Sequence, residues 1–202
     1  MHKNDPLKLS KHIQLYTDEE LMAEVIRHHS SVAITELHRR YSKRLLGYFI
    51  KMLQRDTEAA NDFVQEIFLR ILEKKHLYDP SKPFYTWLFT IASNMCKTAF
   101  RRAPMIALTE MHANRQQTMA DDLAEKAHFQ SRMKESLALL EHHHRTVFVL
   151  RYMEQFSLNE IADITETSLG TVKSRLFYAT QKMTQHLRDF DPTYESTFFK
   201  LH

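Results

Sequence analysis

Hydroxyl, amide, cationic and aromatic side chains recur at helical spacing between residues 171 and 181. If Val172, Leu176, Ala179 and Met183 form the buried stripe of a helix, a rotation of about 100° per residue defines the opposite side. That side carries Ser174, Phe177 and Gln181, and it is flanked by Thr171, Lys173, Arg175 and Tyr178. Such groups contact phosphates and reach base edges, so the pattern predicts binding to duplex DNA. An ordinary helical hairpin with a solvated polar face is the alternative, and the two aromatic residues outside the buried stripe argue against it.

A second, shorter helix precedes this one and would hold it in place. Ser157 and Glu160 have the spacing of a capping box, and Phe156 and Ile161 have the spacing of the hydrophobic staple that often accompanies one. Two short helices joined by a tight turn are the arrangement of a helix-turn-helix, whose second helix enters the major groove.

Another set of aromatic and polar side chains lies on a helix predicted for residues 83–102. Its buried stripe is Phe84, Leu88, Ile91, Ala92, Met95 and Ala99. The opposite side carries Thr86, Thr90, Ser93, Asn94, Lys97 and Arg101, with Tyr85, Trp87 and Phe89 at the borders. Aromatic rings beside a basic face are typical of single-stranded nucleic-acid binding. For Trp87 and Phe89, a place at the periphery of the hydrophobic core is an equally good interpretation.

A helix predicted for residues 56–74 has an acidic side. The buried side would consist of Phe63, Val64, Ile67, Phe68, Ile71 and Leu72, and the other side of Asp62, Gln65, Glu66, Leu69 and Glu73. Acidic groups on one helix face usually contact solvent, but Leu69 among them indicates a protein partner.

Composition predicts an all-α protein. The 202 residues include only 2 Gly and 5 Pro, 43% are hydrophobic, and the apolar runs have a helical period. The net charge of +3 permits nucleic-acid binding without requiring it. A single cysteine, Cys96, fits a reducing compartment. The sequence has no apolar run of about 18 residues and no signal-peptide core, so we expect a cytoplasmic protein.

The prolines and the changes in composition predict two helical domains joined by a flexible linker. We expect an N-terminal tail over residues 1–16, a first domain over 17–102, a linker over 103–129, a second domain over 130–190 and a C-terminal tail over 191–202. The linker lacks a sustained apolar period and becomes acidic at Asp121, Asp122 and Glu125, as expected of a solvated connector.

Three segments in this order resemble bacterial RNA polymerase sigma factors of the extracytoplasmic-function (ECF) group. The segments FVQEIF and TWLFTIASN resemble the second conserved region of that family, and GTVKSRL resembles the fourth. Each motif is moderately specific, but their order and spacing are highly specific together. The resemblance covers both predicted domains and lacks counterparts of the first region and of the third-region domain.

The resemblance implies partners and residue roles. Asp62, Gln65, Glu66 and Leu69 would dock on the coiled coil of the largest polymerase subunit, and the flap is a further implied contact. Phe84, Tyr85, Trp87, Ser93, Asn94, Lys97 and Arg101 would read the −10 element as a melted strand with one base flipped out. Thr171, Lys173, Ser174, Arg175, Phe177 and Tyr178 would read the −35 element as duplex. An anti-sigma factor is also implied as a partner.

The sequence departs from the family at the helix-turn-helix. Glu166 occupies a turn position that usually carries Gly, which predicts a left-handed or distorted backbone at a cost of about 1 kcal/mol. Thr165 replaces a usual aliphatic residue, and Tyr178-Ala179-Thr180 replaces a common Arg-Ala-Arg. Losing two cations removes up to about two phosphate contacts, so duplex binding by this domain alone should be weak.

Other classes of function remain as alternatives. A helix-turn-helix regulator that acts without polymerase would leave FVQEIF and TWLFTIASN unexplained, and a protein-interaction adaptor would leave the outward aromatics and cations after Gly170 unexplained. We expect no enzyme, no cofactor and no catalytic residue, because the sequence lacks a phosphate-binding loop and a nucleophile–base set. We also expect no metal at His142-His143-His144, since consecutive helical residues point in different directions.

Overall fold

The computed structural model describes residues 12–54, 56–102 and 121–187, with side chains described from residue 129 onward in the last range. The described residues are helical and contain no strand, which confirms the predicted all-α class. The chain divides into two compact units, with the main boundary along the chain after Cys96 and with residues 163–166 grouped with the first unit. Both predicted tails, apart from residues 12–16 of the first, and residues 103–120 of the predicted linker lie outside the described residues.

The first unit contains a short 3₁₀ turn at Ile13–Leu15 and helices α1 (Asp18–His28), α2 (Ser31–Leu53) and α3 (Thr57–Lys74). A second 3₁₀ turn follows at Lys75–Leu77, and α4 (Phe84–Arg102) begins in this unit and continues past its boundary. The bounds of α3 and α4 agree closely with the predicted helices over residues 56–74 and 83–102.

Local capping residues fix where the first three helices begin. Thr17 and Glu20 form a capping box at the start of α1. Ser30 caps α2 by accepting a hydrogen bond from Ala33 N–H at 3.2 Å, and Asp56 caps α3 by accepting from Ala59 N–H at 2.8 Å. These side chains satisfy backbone donors that the first turn of a helix leaves without partners.

The hydrophobic core of the first unit forms where the apolar stripes of its helices meet. Tyr48, Phe49, Phe84 and Phe89 are its largest fully buried side chains. Tyr48 meets Phe89 edge to face with ring centroids 5.2 Å apart, and this contact packs α2 against α4. The lone cysteine, Cys96, is also buried.

A charged cluster joins α1 to α2 beside this core. Glu36 is only 5% exposed and accepts hydrogen bonds from the guanidinium groups of Arg39 and Arg40, with three donor–acceptor distances of 2.8 Å. Arg40 also donates to Asp18 Oδ1 at 2.7 Å, and Tyr41 Oη donates to Asp18 Oδ2. The hydrogen bond from Arg39 is the main influence that lowers the pKa of Glu36 to about 2, with Arg40 adding to it.

The second unit contains α5 (Asp121–Ala138), α6 (His142–Phe148), a π-helical turn at Val149–Met153, residues 158–162 of α7 (Leu158–Thr165) and α8 (Leu169–Leu187). Helix α5 begins nine residues before the predicted start of the second domain, so part of the predicted linker is helical. Buried Arg145 joins α5 to α6, because its Nη2 donates to the Ala138 and Leu140 carbonyls at 3.0 Å each. Arg145 thereby supplies hydrogen-bond donors to carbonyl groups that have no partner within the end of α5.

Within residues 12–54, 56–102 and 121–187, no helix combines the length and the apolar composition needed to cross a membrane.

Candidate nucleic-acid and protein interfaces

The start of α4 carries a group of packed aromatic rings, which we call the aromatic platform: Tyr78, Phe84, Tyr85 and Trp87. Trp87 is half-buried, and its ring centroid lies 5.2 Å from that of Tyr78 and 6.0 Å from that of Phe84. These separations fall in the range of favourable aromatic pairs. The Trp87 ring is therefore held in position while part of its surface faces solvent.

Tyr85 is held from the other side by residues of α2. Its ring stacks on Tyr41 with centroids 5.8 Å apart and an interplanar angle of 25°, and the guanidinium carbon of Arg44 lies 4.5 Å from its centroid. This distance is that of a cation–π contact. Sequence reasoning did not single out Tyr41, Arg44 or Tyr78 as site residues; the aromatic and cationic content of the segments around them was the available signal.

The turn before α4 is fixed by local hydrogen bonds. Asp79 Oδ1 accepts from Ser81 N–H at 2.9 Å and from Ser81 Oγ at 2.8 Å, while Tyr78 Oη donates to the Lys82 carbonyl at 2.8 Å. The bonds from Ser81 lower the pKa of Asp79. Burial, with Glu19 and Asp79 nearby, raises the pKa of Tyr78 to about 12, so its hydroxyl remains a donor at neutral pH.

Three residues of α4 that were considered for the outward side or for DNA contact are buried. Ser93 was expected on the outward side, but it is only 6% exposed, so this placement is wrong. Phe84 is fully buried, as its place in the apolar stripe predicts, and it contributes to the aromatic platform from beneath. Phe89, an equal candidate for border and core, is also fully buried and belongs to the core.

Of the other polar residues predicted for the outward side of α4, three are exposed and two, Thr86 and Thr90, are half-buried. Asn94, Lys97 and Arg101 are exposed, as expected for the outward side. Thr90 is half-buried and donates from Oγ1 to the Thr86 carbonyl at 3.0 Å, so its hydroxyl is engaged within the helix.

The outward side of α3 forms a second candidate surface, which we call the acidic face: Asp62, Gln65, Glu66 and Leu69. All four side chains are exposed, and Leu69 is 61% exposed despite its apolar character. Arg70 donates from Nε to Glu66 Oε1 at 2.9 Å, which orients that carboxylate on the helix surface. Leu72 was expected on the buried side, but it is 40% exposed and adds apolar area next to this face.

The helix-turn-helix forms with the predicted local signals. Ser157 N–H donates to Glu160 Oε2 at 2.8 Å and Glu160 N–H donates to Ser157 Oγ at 3.2 Å, which confirms the capping box of α7. Phe156 and Ile161, the predicted staple pair, are both buried.

The turn after α7 adopts the left-handed conformation predicted for Glu166, whose φ is 52°. Thr167 N–H donates to the Ala162 carbonyl at 3.0 Å, and Glu166 N–H donates to the Asp163 carbonyl at 3.3 Å. This pair of bonds is the Schellman arrangement that ends many helices, usually with Gly at the left-handed position. The turn therefore keeps its usual hydrogen bonds with a residue that tolerates the conformation poorly.

Helix α8 presents the predicted polar face to solvent. Ser168 caps the helix by accepting from Thr171 N–H at 3.1 Å. Val172, Ala179 and Met183 are buried, while Lys173 and Ser174 are exposed, and Phe177 and Tyr178 are 65% and 54% exposed. Thr171 and Arg175 are half-buried at the edges of this face. The polar face of α8 thus combines two large exposed rings with hydroxyl and cationic groups.

Three side chains at the start of α6 converge where sequence reasoning expected divergence. Glu141, His143 and His144 each bring one potential ligand atom within 4.8 Å of the others, so the expected divergence of consecutive helical residues is wrong for His143 and His144. Burial lowers the pKa of His144, and His143, Lys182 and Arg175 lower it further. The nearby cations of Lys182 and Arg175 oppose the binding of another cation, so we assign no metal here.

Two family models match the chain in the order of the two units. Residues 37–104 match Sigma-70 region 2, and residues 136–185 match Sigma-70, region 4. The first match contains the acidic face and the aromatic platform, and the second contains the helix-turn-helix.

Known proteins similar to this chain cover most of its length. The ECF RNA polymerase sigma factor SigL of Mycobacterium tuberculosis is 30% identical over 158 residues, which span 76% of this chain and 84% of SigL. The solved structure of CnrH in complex with the cytosolic domain of CnrY has a TM-score of 0.66 at 22% identity, covering 86% of this chain and 99% of that one. RpoE of Bartonella quintana, solved with the anti-sigma factor NepR, has a TM-score of 0.55 at 21% identity, covering 74% of this chain and 92% of that one.

Proposed function

This chain belongs to the sigma-70 family as an ECF sigma factor, a non-enzymatic initiation factor, and we propose that it binds core RNA polymerase and directs it to specific promoters. In this proposal the first unit binds polymerase and opens the −10 element, while the second unit binds the −35 element as duplex. Polymerase itself performs the chemistry, so the factor needs no cofactor.

The acidic face of α3 is the observation that carries the proposal. Its exposed carboxylates and amide surround Leu69, a large apolar side chain that is 61% exposed. An apolar anchor within a charged rim is the arrangement of a protein-binding site, in which the charges set orientation more than affinity. A DNA-binding regulator that acts without polymerase has no need of this surface, so the acidic face separates the two functions.

The aromatic platform supports reading of a melted −10 element. Unstacked bases bind to exposed faces of fixed aromatic rings, and each such contact stabilises the bound strand by about 1–3 kcal/mol. Trp87 and Tyr85 would supply the rings, and Asn94, Lys97 and Arg101 the amide and the cations. Phe84 and Ser93 are buried, so we propose that they support the platform and do not contact the strand.

The polar face of α8 supports reading of the −35 element. Thr171, Lys173, Ser174 and Arg175 lie in the first two turns of α8, the part of a recognition helix that contacts base edges. The rings of Phe177 and Tyr178 offer apolar contact with thymine methyl groups. Because few cations flank these residues, α8 binds the −35 duplex weakly unless polymerase holds the domain at the promoter.

An anti-sigma factor is the proposed regulator of this protein. The similar fold of Bartonella quintana RpoE was solved with an anti-sigma factor, and the exposed apolar residues Leu69 and Leu72 on α3 give such a partner a place to bind. Since its activity takes place on the chromosome with polymerase, we place the protein in the bacterial cytoplasm.

Runoff transcription with purified core polymerase tests the proposed function. We expect specific transcripts only when both the protein and core polymerase are present. Leu69→Ala combined with Gln65→Ala should weaken core binding at least tenfold, whereas the exposed control Glu58→Ala should not. If the protein fails to bind core polymerase, or binds promoter duplex equally well without it, the proposal is wrong.

A further inference from the structure

We propose that Glu19 is a positioning residue for promoter opening, because it caps the start of α4 and so holds the aromatic platform in place. The effect of this cap on promoter opening rests on the proposed function. The hydrogen bond that carries it joins two helices far apart in the sequence.

Helix α4 begins without a capping side chain of its own. The residue before it is Pro83, whose side chain has no hydrogen-bond acceptor, while α1, α2 and α3 follow Thr17, Ser30 and Asp56. The first N–H groups of a helix have no partner within the helix, so those of α4 need an acceptor from elsewhere.

Glu19 supplies that acceptor from the first turn of α1. Its Oε1 accepts a hydrogen bond from Phe84 N–H at 3.0 Å, across a separation of 65 residues. A carboxylate at this position also lies at the positive end of the α4 dipole, which favours the negative charge. The contact is partly buried, so water competes with it less than at an exposed helix end.

The neighbouring residue fixes Glu19 in place. Asp18 accepts hydrogen bonds from Arg40 and from Tyr41, which anchors the start of α1 on α2. The Tyr41 ring then meets Phe84 edge to face at 5.6 Å and stacks on Tyr85 at 5.8 Å. Glu19 therefore holds the first turn of α4 through a backbone N–H, and Asp18 holds it through Tyr41, which contacts the aromatic rings of that turn.

This assignment concerns a part of the chain that the family model does not reach. The match to region 2 begins at residue 37, whereas α1 spans Asp18–His28. If Glu19 is removed, the first turn of α4 should fray, and Tyr85 and Trp87 should lose their fixed orientation. Strand opening depends on that orientation, whereas polymerase binding through the acidic face of α3 does not.

Glu19→Ala, compared with Glu20→Ala, tests the proposal in the full-length protein. Glu20 is a matched control because it accepts a hydrogen bond from Thr17 N–H at 2.7 Å and caps α1 instead of α4. The measurements are the rate of open-complex formation on duplex promoter, binding to a promoter already melted at −10, and core binding, all at a temperature where every variant is folded.

We expect Glu19→Ala to slow opening of duplex promoter about fivefold, the rate equivalent of losing one helix cap. Core binding should stay within about twofold of wild type, a margin smaller than the loss of one cap. Binding to the premelted strand should weaken about as much as opening slows, because the same rings contact that strand. Glu19→Gln keeps an oxygen acceptor and should restore most of the opening rate. Equal slowing by Glu19→Ala and Glu20→Ala, or a Gln variant as slow as the Ala variant, would overturn the proposal.

Hydrogen exchange of the Phe84 amide tests the same contact without transcription. We expect that amide to be protected in wild type and in Glu19→Gln, and to exchange faster in Glu19→Ala. If Glu19→Ala does not fold, Glu19→Asp, whose carboxylate is one methylene shorter, should give the same faster exchange. Unchanged exchange would refute the cap itself, whereas a wild-type protein that cannot initiate with polymerase would refute the proposed function alone.

Discussion

Helices α4 and α8 carry similar side chains but hold them differently. On α4, the half-buried Trp87 and Tyr85 are packed against rings and a guanidinium group from other parts of the first unit. On α8, Phe177 and Tyr178 contact each other with centroids 5.6 Å apart, and Tyr178 also lies 6.2 Å from the His144 ring of α6. More than half of each side chain is nevertheless exposed. One helix offers rings fixed by tertiary contacts, and the other offers rings that extend into solvent.

The difference corresponds to the two kinds of nucleic acid that the proposed function assigns to these helices. A melted strand loses stacking energy, so its bases gain most from rings that are already fixed and need no ordering. A duplex keeps its bases stacked, so a reading helix needs side chains that reach into the groove. Under the proposed function, packing on α4 and exposure on α8 therefore suit two different recognition problems.

Removing Trp87 should give the largest effect and tests the fixed platform directly. Trp87→Ala deletes a stacking surface and loosens Tyr78 and Phe84, so we expect open-complex formation to fall by about tenfold or more. Trp87→Phe keeps a ring and should retain most of the rate. Core binding should be unchanged in both variants. If Trp87→Ala abolishes core binding or unfolds the first unit, the ring serves the hydrophobic core and not the DNA strand.

Removing cations from α8 should give a smaller effect that depends on salt. Lys173→Ala and Arg175→Ala should each weaken promoter binding a few-fold and reduce the slope of log K against log salt by about one. Binding titrations at several salt concentrations measure both quantities. Lys134→Ala removes an exposed cation of α5 and is the matched control. An unchanged slope for Lys173 and Arg175 would show that this face does not contact the duplex.

Replacing Glu166 by Gly should change stability without changing recognition. Gly adopts φ of 52° without the side-chain penalty, so Glu166→Gly should stabilise the protein by about 1 kcal/mol in denaturant unfolding. Lys134→Gly, within helix α5, should destabilise it by a similar amount. Promoter binding should stay the same in Glu166→Gly. A destabilised Glu166→Gly protein would mean that the Glu side chain has a stabilising contact at the turn.

Acid should weaken the first unit through Glu36, an effect that is absent near neutral pH. The pKa of Glu36 is lowered from 4.5 to about 2 in the folded protein, so its ion pairs contribute stability above about pH 4.5. That contribution is lost as pH falls toward 2, because the unfolded chain binds the proton first. Glu36→Gln should remove this part of the acid dependence, measured by unfolding between pH 5 and pH 2. An equally steep dependence in the variant would place its origin in other carboxylates.

Features that depend on a few neighbouring residues were predictable. The capping box of Ser157 and Glu160, the left-handed Glu166 and the bounds of α3 and α4 agree with the sequence because caps and turns are set by local backbone geometry. The polar side of α8 was also predictable, since helical rotation alone decides which residues share a face. The roles assigned to these faces remain predictions for the experiments above.

The exposure of residues at the edge of a helix face was not predictable, because it depends on how neighbouring helices pack. Helical rotation gives the direction of Ser93 and Leu72, but the width of the buried stripe is set by adjacent helices, which cover Ser93 and leave Leu72 exposed. The contacts of Arg44 with Tyr85 and of Glu19 with the start of α4 join residues 41 and 65 positions apart. The sequence by itself determined the helical class, the capping box of α7 and the chemistry of each face. The tertiary structure decided which rings are fixed and which helix caps another, because those contacts exist only after distant segments pack together.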